Sequence, residues 1–184
     1  MGKQEVDLRQ CCPSLVKKTP DLQMVPVDTS KALADKYVGI YFSAHWCPPC
    51  RAFTPALRKF YMYMMAKGRP FEIIFVSSDK DQQDFEEYFL KNMPWLTLPW
   101  EGSLETRHSL ARMFAVAGIP YLVIVGPDGK VLNSNARTAL IKDPLGERFP
   151  WDNEPWFSMP SSSFLLPLLL ALIIWFVVHF SETS

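Results

Sequence analysis

Tyr41-Phe42-Ser43-Ala44-His45-Trp46-Cys47-Pro48-Pro49-Cys50-Arg51 joins two patterns of different period. The run that ends in it, Tyr37 to Ser43, is apolar on both alternations, the mark of a central strand covered on both faces. Beyond it Phe53, Leu57, Phe60, Tyr61 and Met64 recur at helical spacing, which predicts a helix over 48–67 with a kink at Pro55. The two cysteines therefore stand where a buried strand feeds a helix.

The same alternation of elements continues outward. Residues 22–27 read as a strand whose Pro26 favours an edge, and residues 71–77 and 121–125 as further core strands. Residues 81–92 form a helix with Phe85, Tyr88 and Phe89 inward, and residues 104–114 form another. Pro127-Asp128-Gly129 is a turn, with residues 131–135 as the returning hairpin strand. The order implies an α/β fold, a central mixed sheet flanked by helices.

A Cys-x-x-Cys pair could be half of a zinc site, but zinc needs two more ligands. Cys11, Cys12, His45, His108 and His179 supply no second paired motif, so no metal is expected. The redox reading has a positive basis. Cys47 precedes the helix, where unpaired N–H groups and the helix dipole favour a thiolate, the attacking species in disulfide exchange. Cys50, one turn on, can reach back and resolve the mixed disulfide. Pro48 and Pro49 stiffen the loop and carry no N–H, which leaves the Cys50 N–H as the donor to the Cys47 sulfur. Trp46 presents an apolar ring beside the nucleophile. Gly118-Ile119-Pro120-Tyr121 precedes a core strand; from spacing alone Pro120 reads as an edge proline.

Residues 41–51 resemble the active site of the tryparedoxin and nucleoredoxin branch of the thioredoxin superfamily. Phe71 to Asp79, Met93-Pro94-Trp95-Leu96, Gly118-Ile119-Pro120 and Arg148-Phe149-Pro150-Trp151 are similar to further segments of that branch, so that the likeness covers residues 22–151. It implies a thioredoxin-like fold, Cys47 as nucleophile, Cys50 as resolver and a cis Ile119–Pro120 bond that places backbone beside the sulfurs for a substrate chain. Many thioredoxins carry a buried acid six residues before the nucleophile. Tyr41 stands there, as in tryparedoxins. Residues 136–144 resemble tryparedoxin more than nucleoredoxin. Arg137 matches an arginine that helps tryparedoxins bind trypanothione, the bis-glutathionyl spermidine dithiol, and a guanidinium suits its glycine carboxylate. Many tryparedoxins carry Trp, Asp and an acid after the second core strand; here Asp79 keeps the Asp, whereas Ser78 and Lys80 depart from the Trp and the acid. The resemblance thus implies a thiol–disulfide oxidoreductase that passes electrons from trypanothione or a similar dithiol to peroxiredoxin-type protein disulfides. No bound cofactor is expected; Trp46, Ile119 and Arg137 would meet substrate. The alternative within the branch is a nucleoredoxin-like, redox-sensitive binding module.

Composition limits the remaining classes. The chain has 184 residues, with 19 basic and 19 acidic groups. Without a basic excess, nucleic-acid binding is not expected. Four cysteines are too few for a disulfide-stapled scaffold. Residues 1–20 read as a flexible segment, with Cys11 and Cys12 as free thiols, acylation sites or one side of a regulatory disulfide with another protein, and residues 21–152 as the domain. Val6 stands where a myristoylation motif following Gly2 would have Ser or Thr. No apolar run precedes Cys11, which argues against a secretory signal and a lumenal oxidase. Residues 153–163 read as a linker. From Phe164 to Phe180 the chain is apolar apart from Pro167 and His179, long enough for a slightly short membrane helix, with a short tail at 181–184. The expectation is a tail anchor with the domain facing the cytosol, in the mitochondrial outer membrane first and the endoplasmic reticulum second. His45 reads as an exposed flank or, protonated, as a tuner of the thiolate. Trp95, Trp100 and Trp151 read as packing residues.

Overall fold

Seven strands form one mixed sheet in the computed structural model, which describes residues 5–152. The strands are β1 (Leu15–Lys18), β2 (Met24–Val27), β3 (Tyr37–Ser43), β4 (Phe71–Ser77), β5 (Leu96–Thr97), β6 (Tyr121–Val125) and β7 (Val131–Asn133), in spatial order β2-β1-β5-β4-β3-β6-β7. β3 lies parallel to β4 and antiparallel to β6, with Ile40 opposite Ile74 and Val123. Pro26, without an N–H to give, sits in the edge strand β2.

Alternation along the central strands builds two cores. Val38, Ile40 and Phe42 of β3 join Ile74 and Val76 of β4 on one face. Tyr41, Ile73 and Phe75 point to the other. That second face is covered by α3 (Pro48–Ala66), α4 (Gln82–Asn92) and α6 (Ala136–Lys142), through Phe53, Leu57, Phe60, Phe85, Phe89 and Leu140. The first is covered by α1 (Leu8–Cys11), α2 (Thr29–Leu33) and α5 (Leu104–Met113), through Leu8, Leu33 and Leu110. Gly39 has no side chain because a Cβ there would meet Ile73 and Phe71 at 3.3 Å.

β3, β4 and β6 have the bounds that their apolar runs predict. α3 continues through Pro55 to Ala66, and Asp81 caps α4 by accepting from the Asp84 N–H. β7 stops at Asn133, where the Asn133 side chain turns the chain by accepting from the Asn135 N–H, and α6 begins.

Of the segment 1–20 expected to be flexible, residues 5–20 are instead packed into the domain. Val6, Leu8, Cys12 and Leu15 are buried in the first core, Asp7 caps α1, and the Val6 N–H donates to the Gly129 carbonyl at 2.8 Å. The domain therefore begins ahead of residue 21. α1 and β1 are four residues each, too short to display a period. The linker at 153–163, the apolar stretch at 164–180 and the tail at 181–184 lie outside the described residues. Among the described residues no helix is long and apolar enough to cross a membrane.

Candidate active site

Cys47 is the N-cap of α3, in extended backbone conformation, with Pro48 and Pro49 opening the helix. Two prolines at these positions lose nothing, because the first N–H groups of a helix have no internal partner. The first free N–H, that of Cys50, donates to the Cys47 sulfur at 3.3 Å. Cys47 and Cys50 form a disulfide with their Cα atoms 5.2 Å apart. Cys50 is fully buried, whereas Cys47 keeps 4% of its surface. The attacked sulfur of an exchange must be reachable by a second molecule, so the accessible member of the pair is Cys47.

The remaining residues singled out from the sequence lie around this pair. The Ile119–Pro120 peptide is cis, and the Ile119 carbonyl lies 3.8 Å from the Cys47 sulfur. That contact becomes a hydrogen bond only in the reduced state, since a disulfide sulfur carries no proton. Ile119 packs on Ala44, Cys47 and Cys50. Trp46 is half exposed, and its indole N–H donates to the Ser78 carbonyl at 3.0 Å. Arg137 is exposed at the start of α6, with its guanidinium 5.9 Å from the ring centre of Phe53, one turn beyond Cys50.

Beneath the disulfide lies a feature with no one-dimensional signature. Thr54 Oγ1 donates to the Cys50 carbonyl at 3.0 Å, so its only proton is used. Tyr41, 2.8 Å away, and Tyr88 must then both donate to Thr54, and Ser43 must donate to Tyr88 at 3.2 Å. These hydroxyls come from β3, α3 and α4 and are all buried. Burial first, and then the neighbouring Tyr88, push the Tyr41 hydroxyl well above its ordinary range, so Tyr41 stays protonated and acts as a donor.

His45 is held rather than free. Its N–H donates to Asp79 at 2.6 Å, its Nδ1 lies 3.0 Å from Asp84, and its ring stacks on Tyr88 at 5.6 Å. Asp79 also accepts from the Ser77 hydroxyl; burial nevertheless raises its carboxyl above the usual range. Sequence reasoning left Asp79, Asp84 and Thr54 unassigned: the fold carries Asp79 and Asp84 to His45, whereas Thr54 reaches Cys50 within α3, one helical turn on.

Cys11 and Cys12 are both free thiols. Cys12 is buried and burial pushes it up to about 12, so it is a protonated core residue closed to acylation. Trp95 and Trp151 are buried, and Trp100 stacks against Arg107 at 4.4 Å.

The profile of the thioredoxin-like family matches residues 35–131. The chain belongs to this thioredoxin-like family. Within it, the chain is 44% identical over 124 residues to a tryparedoxin of Trypanosoma brucei brucei, covering 66% of this chain and 83% of that protein. It is 39% identical over 134 residues to nucleoredoxin of Mus musculus, covering 73% of this chain and 30% of that protein. The chain thus spans about a third of the length of the nucleoredoxins it matches. Among solved thioredoxin-like structures, native tryparedoxin I from Crithidia fasciculata aligns with a TM-score of 0.70 at 40% identity, covering 79% of this chain and 98% of that one. A tryparedoxin II complexed with glutathionylspermidine aligns at 0.71 and 39% identity, covering 79% and 99%. These relatives support a thioredoxin-like thiol–disulfide oxidoreductase of the tryparedoxin and nucleoredoxin type.

Proposed function

We propose that the chain is a protein-disulfide reductase that takes electrons from a low-molecular-weight dithiol of the trypanothione type and delivers them to protein disulfides such as those of peroxiredoxins. The observation that carries this reading is the Cys47 sulfur at the head of α3, facing the Cys50 N–H and belonging to the less buried member of the pair. In the reducing half-cycle the Cys47 thiolate attacks a substrate disulfide, forms a mixed disulfide and expels one substrate thiolate. The Cys50 thiolate then attacks the Cys47 sulfur, expels the second thiolate and leaves the Cys47–Cys50 disulfide. Two electrons have passed to substrate, and an incoming dithiol restores the pair by the reverse exchange. The donor in the Cys50–Cys47 contact stabilises the thiolate.

The choice of donor is supported by similarity to tryparedoxins and by the placement of Arg137 near α3. Stopped-flow tryptophan fluorescence of the full chain in detergent, reduced by trypanothione, glutathione or thioredoxin at equal thiol concentration, tests it. A clear preference for trypanothione is expected. Indifference, or preference for thioredoxin, favours a second reading, a redox-sensitive binding module of nucleoredoxin type. Ser78 and Lys80, which depart from the tryparedoxin pattern, point that way.

The apolar stretch from Phe164 to Phe180 is proposed to hold the domain at an intracellular membrane, facing the cytosol, with the mitochondrial outer membrane first and the endoplasmic reticulum second. Protease accessibility of the domain on intact organelles checks the orientation. Protection would place it in a lumen.

A further inference from the structure

His45 has more partners than a loop residue needs. Its backbone is fixed twice, by the Asp79 carboxylate on its N–H and by the Arg51 guanidinium on its carbonyl. Any residue at this position would receive those two bonds. The imidazole adds two contacts of its own: Nδ1 meets Asp84 at 3.0 Å, and the ring lies nearly flat on Tyr88, with an interplanar angle of 21°. Tyr88 is the residue through which Ser43 is tied to Thr54, and Thr54 holds the Cys50 carbonyl. On its other side His45 is bonded in sequence to Trp46, the residue before the nucleophile. The ring therefore rests on α4 through Asp84 and Tyr88, and is linked onward to Cys50 through Thr54 and to Cys47 through Trp46.

Resting on the oxidoreductase reading above, we propose that His45 and Asp84 form a positioning pair for the Cys47–Cys50 centre, tightest when the imidazole is protonated. Neutral imidazole can still donate Nδ1–H to the carboxylate, but a charge-assisted bond is shorter and stronger. The charged groups facing the ring come from three elements: Asp84 and Glu87 from α4, Asp79 from the loop before it, and Arg51 from α3. An imidazolium bonds the Asp84 carboxylate more strongly than a neutral imidazole does, so the pair tightens as pH falls. A fixed ring holds the Trp46–Cys47 turn against Tyr88 and keeps the Cys47 sulfur presented to an incoming thiolate. Neither residue touches the reacting sulfurs; both act through the turn.

The test is the rate of disulfide reduction by dithiothreitol in the full chain in detergent, from pH 5.5 to 8.5, for the parent, H45A, D84A, the double variant and H45N. The parent-to-variant ratio at each pH cancels the titration of the reductant. For H45A the ratio is expected to be about five at the acid end and to fall towards one at the alkaline end. D84A should match H45A, and the double variant should be no slower than either, because both remove one interaction. H45N, which can donate to Asp84 without ionising, should recover part of the rate with a ratio independent of pH. An H45A ratio of one throughout, a constant ratio at all pH values, or multiplicative losses in the double variant would overturn the proposal. If the parent itself is not reduced, or C47S turns over as the parent does, the oxidoreductase reading fails instead.

Discussion

Thr54 Oγ1 donates to the carbonyl of Cys50 at 3.0 Å, so the redox centre and a buried hydroxyl network share one hydrogen bond. A threonine inside a helix commonly bonds back to the carbonyl of the preceding turn. Here that habit makes Thr54 the acceptor for two tyrosines, which arrive from the sheet and from α4. Cys50 is thus tied to three elements at once.

Thr54→Val keeps the shape of the side chain and removes the hub. Tyr41 loses its 2.8 Å bond and Tyr88 loses one of its two partners in this network. Leaving buried hydroxyls unsatisfied costs about 1–3 kcal/mol, which urea unfolding of the oxidised protein should register as a lower midpoint with an unchanged slope.

Cys50→Ser should trap the reaction at its first step. Cys47 can still attack, but no thiolate follows to resolve the mixed disulfide. Mass spectrometry after exposure to an oxidised substrate protein is expected to find one covalent adduct per chain, absent from Cys47→Ser. Adduct formation by both variants would remove Cys47 from the nucleophile's role.

Leu15→Ala tests whether the N-terminal segment belongs to the domain. Leu15 is 1% exposed and packs in the core with Val6, Leu8 and Cys12. A loss of about 2–5 kcal/mol is expected in chemical denaturation. A loss below about 0.5 kcal/mol would return residues 1–20 to a peripheral status.

Asp143 gives the fold an acid-sensitive tie. It accepts from the N–H groups of Glu147 and Arg148 and from the Trp151 indole. Burial works against its ionisation, but these donors outweigh it and hold the carboxyl below the usual range. A depressed carboxylate stabilises the fold above its unfolded pKa of about 4 and loses that contribution as pH falls through the folded value. Asp143→Asn should therefore cost about 1–3 kcal/mol at pH 7, and the gap to the parent should close as pH falls below about 4 in thermal unfolding. A gap that stays constant on acidification would assign the loss to packing.

A chain ending at Asp152 should leave the membrane fraction and keep the redox centre, which is built wholly from residues before that point. Continued membrane association after removal of residues 153–184 would shift the attachment to acylation of the half-buried Cys11.

Much of this molecule is legible along the chain. Strands β3, β4 and β6 follow from unbroken apolar runs, because a strand covered on both faces needs no polar alternation. The Trp46-to-Cys50 motif stands at the strand-to-helix junction, and Cys47 at the helix N-cap follows from two prolines suited to the first positions of a helix. Tertiary structure decided the rest. α1 and β1 carry four residues each and reveal no period; their place is set by tertiary contacts, Val6 bonding across to Gly129 and β1 pairing with β2 and β5. Asp84 reaches His45, and Tyr88 reaches Ser43, because α4 packs on the sheet through Phe85, Tyr88 and Phe89 against Phe75 of β4. Local sequence reports the interactions within one element. Partners separated by 39 residues along the chain meet through strand register and helix packing, which no single segment encodes.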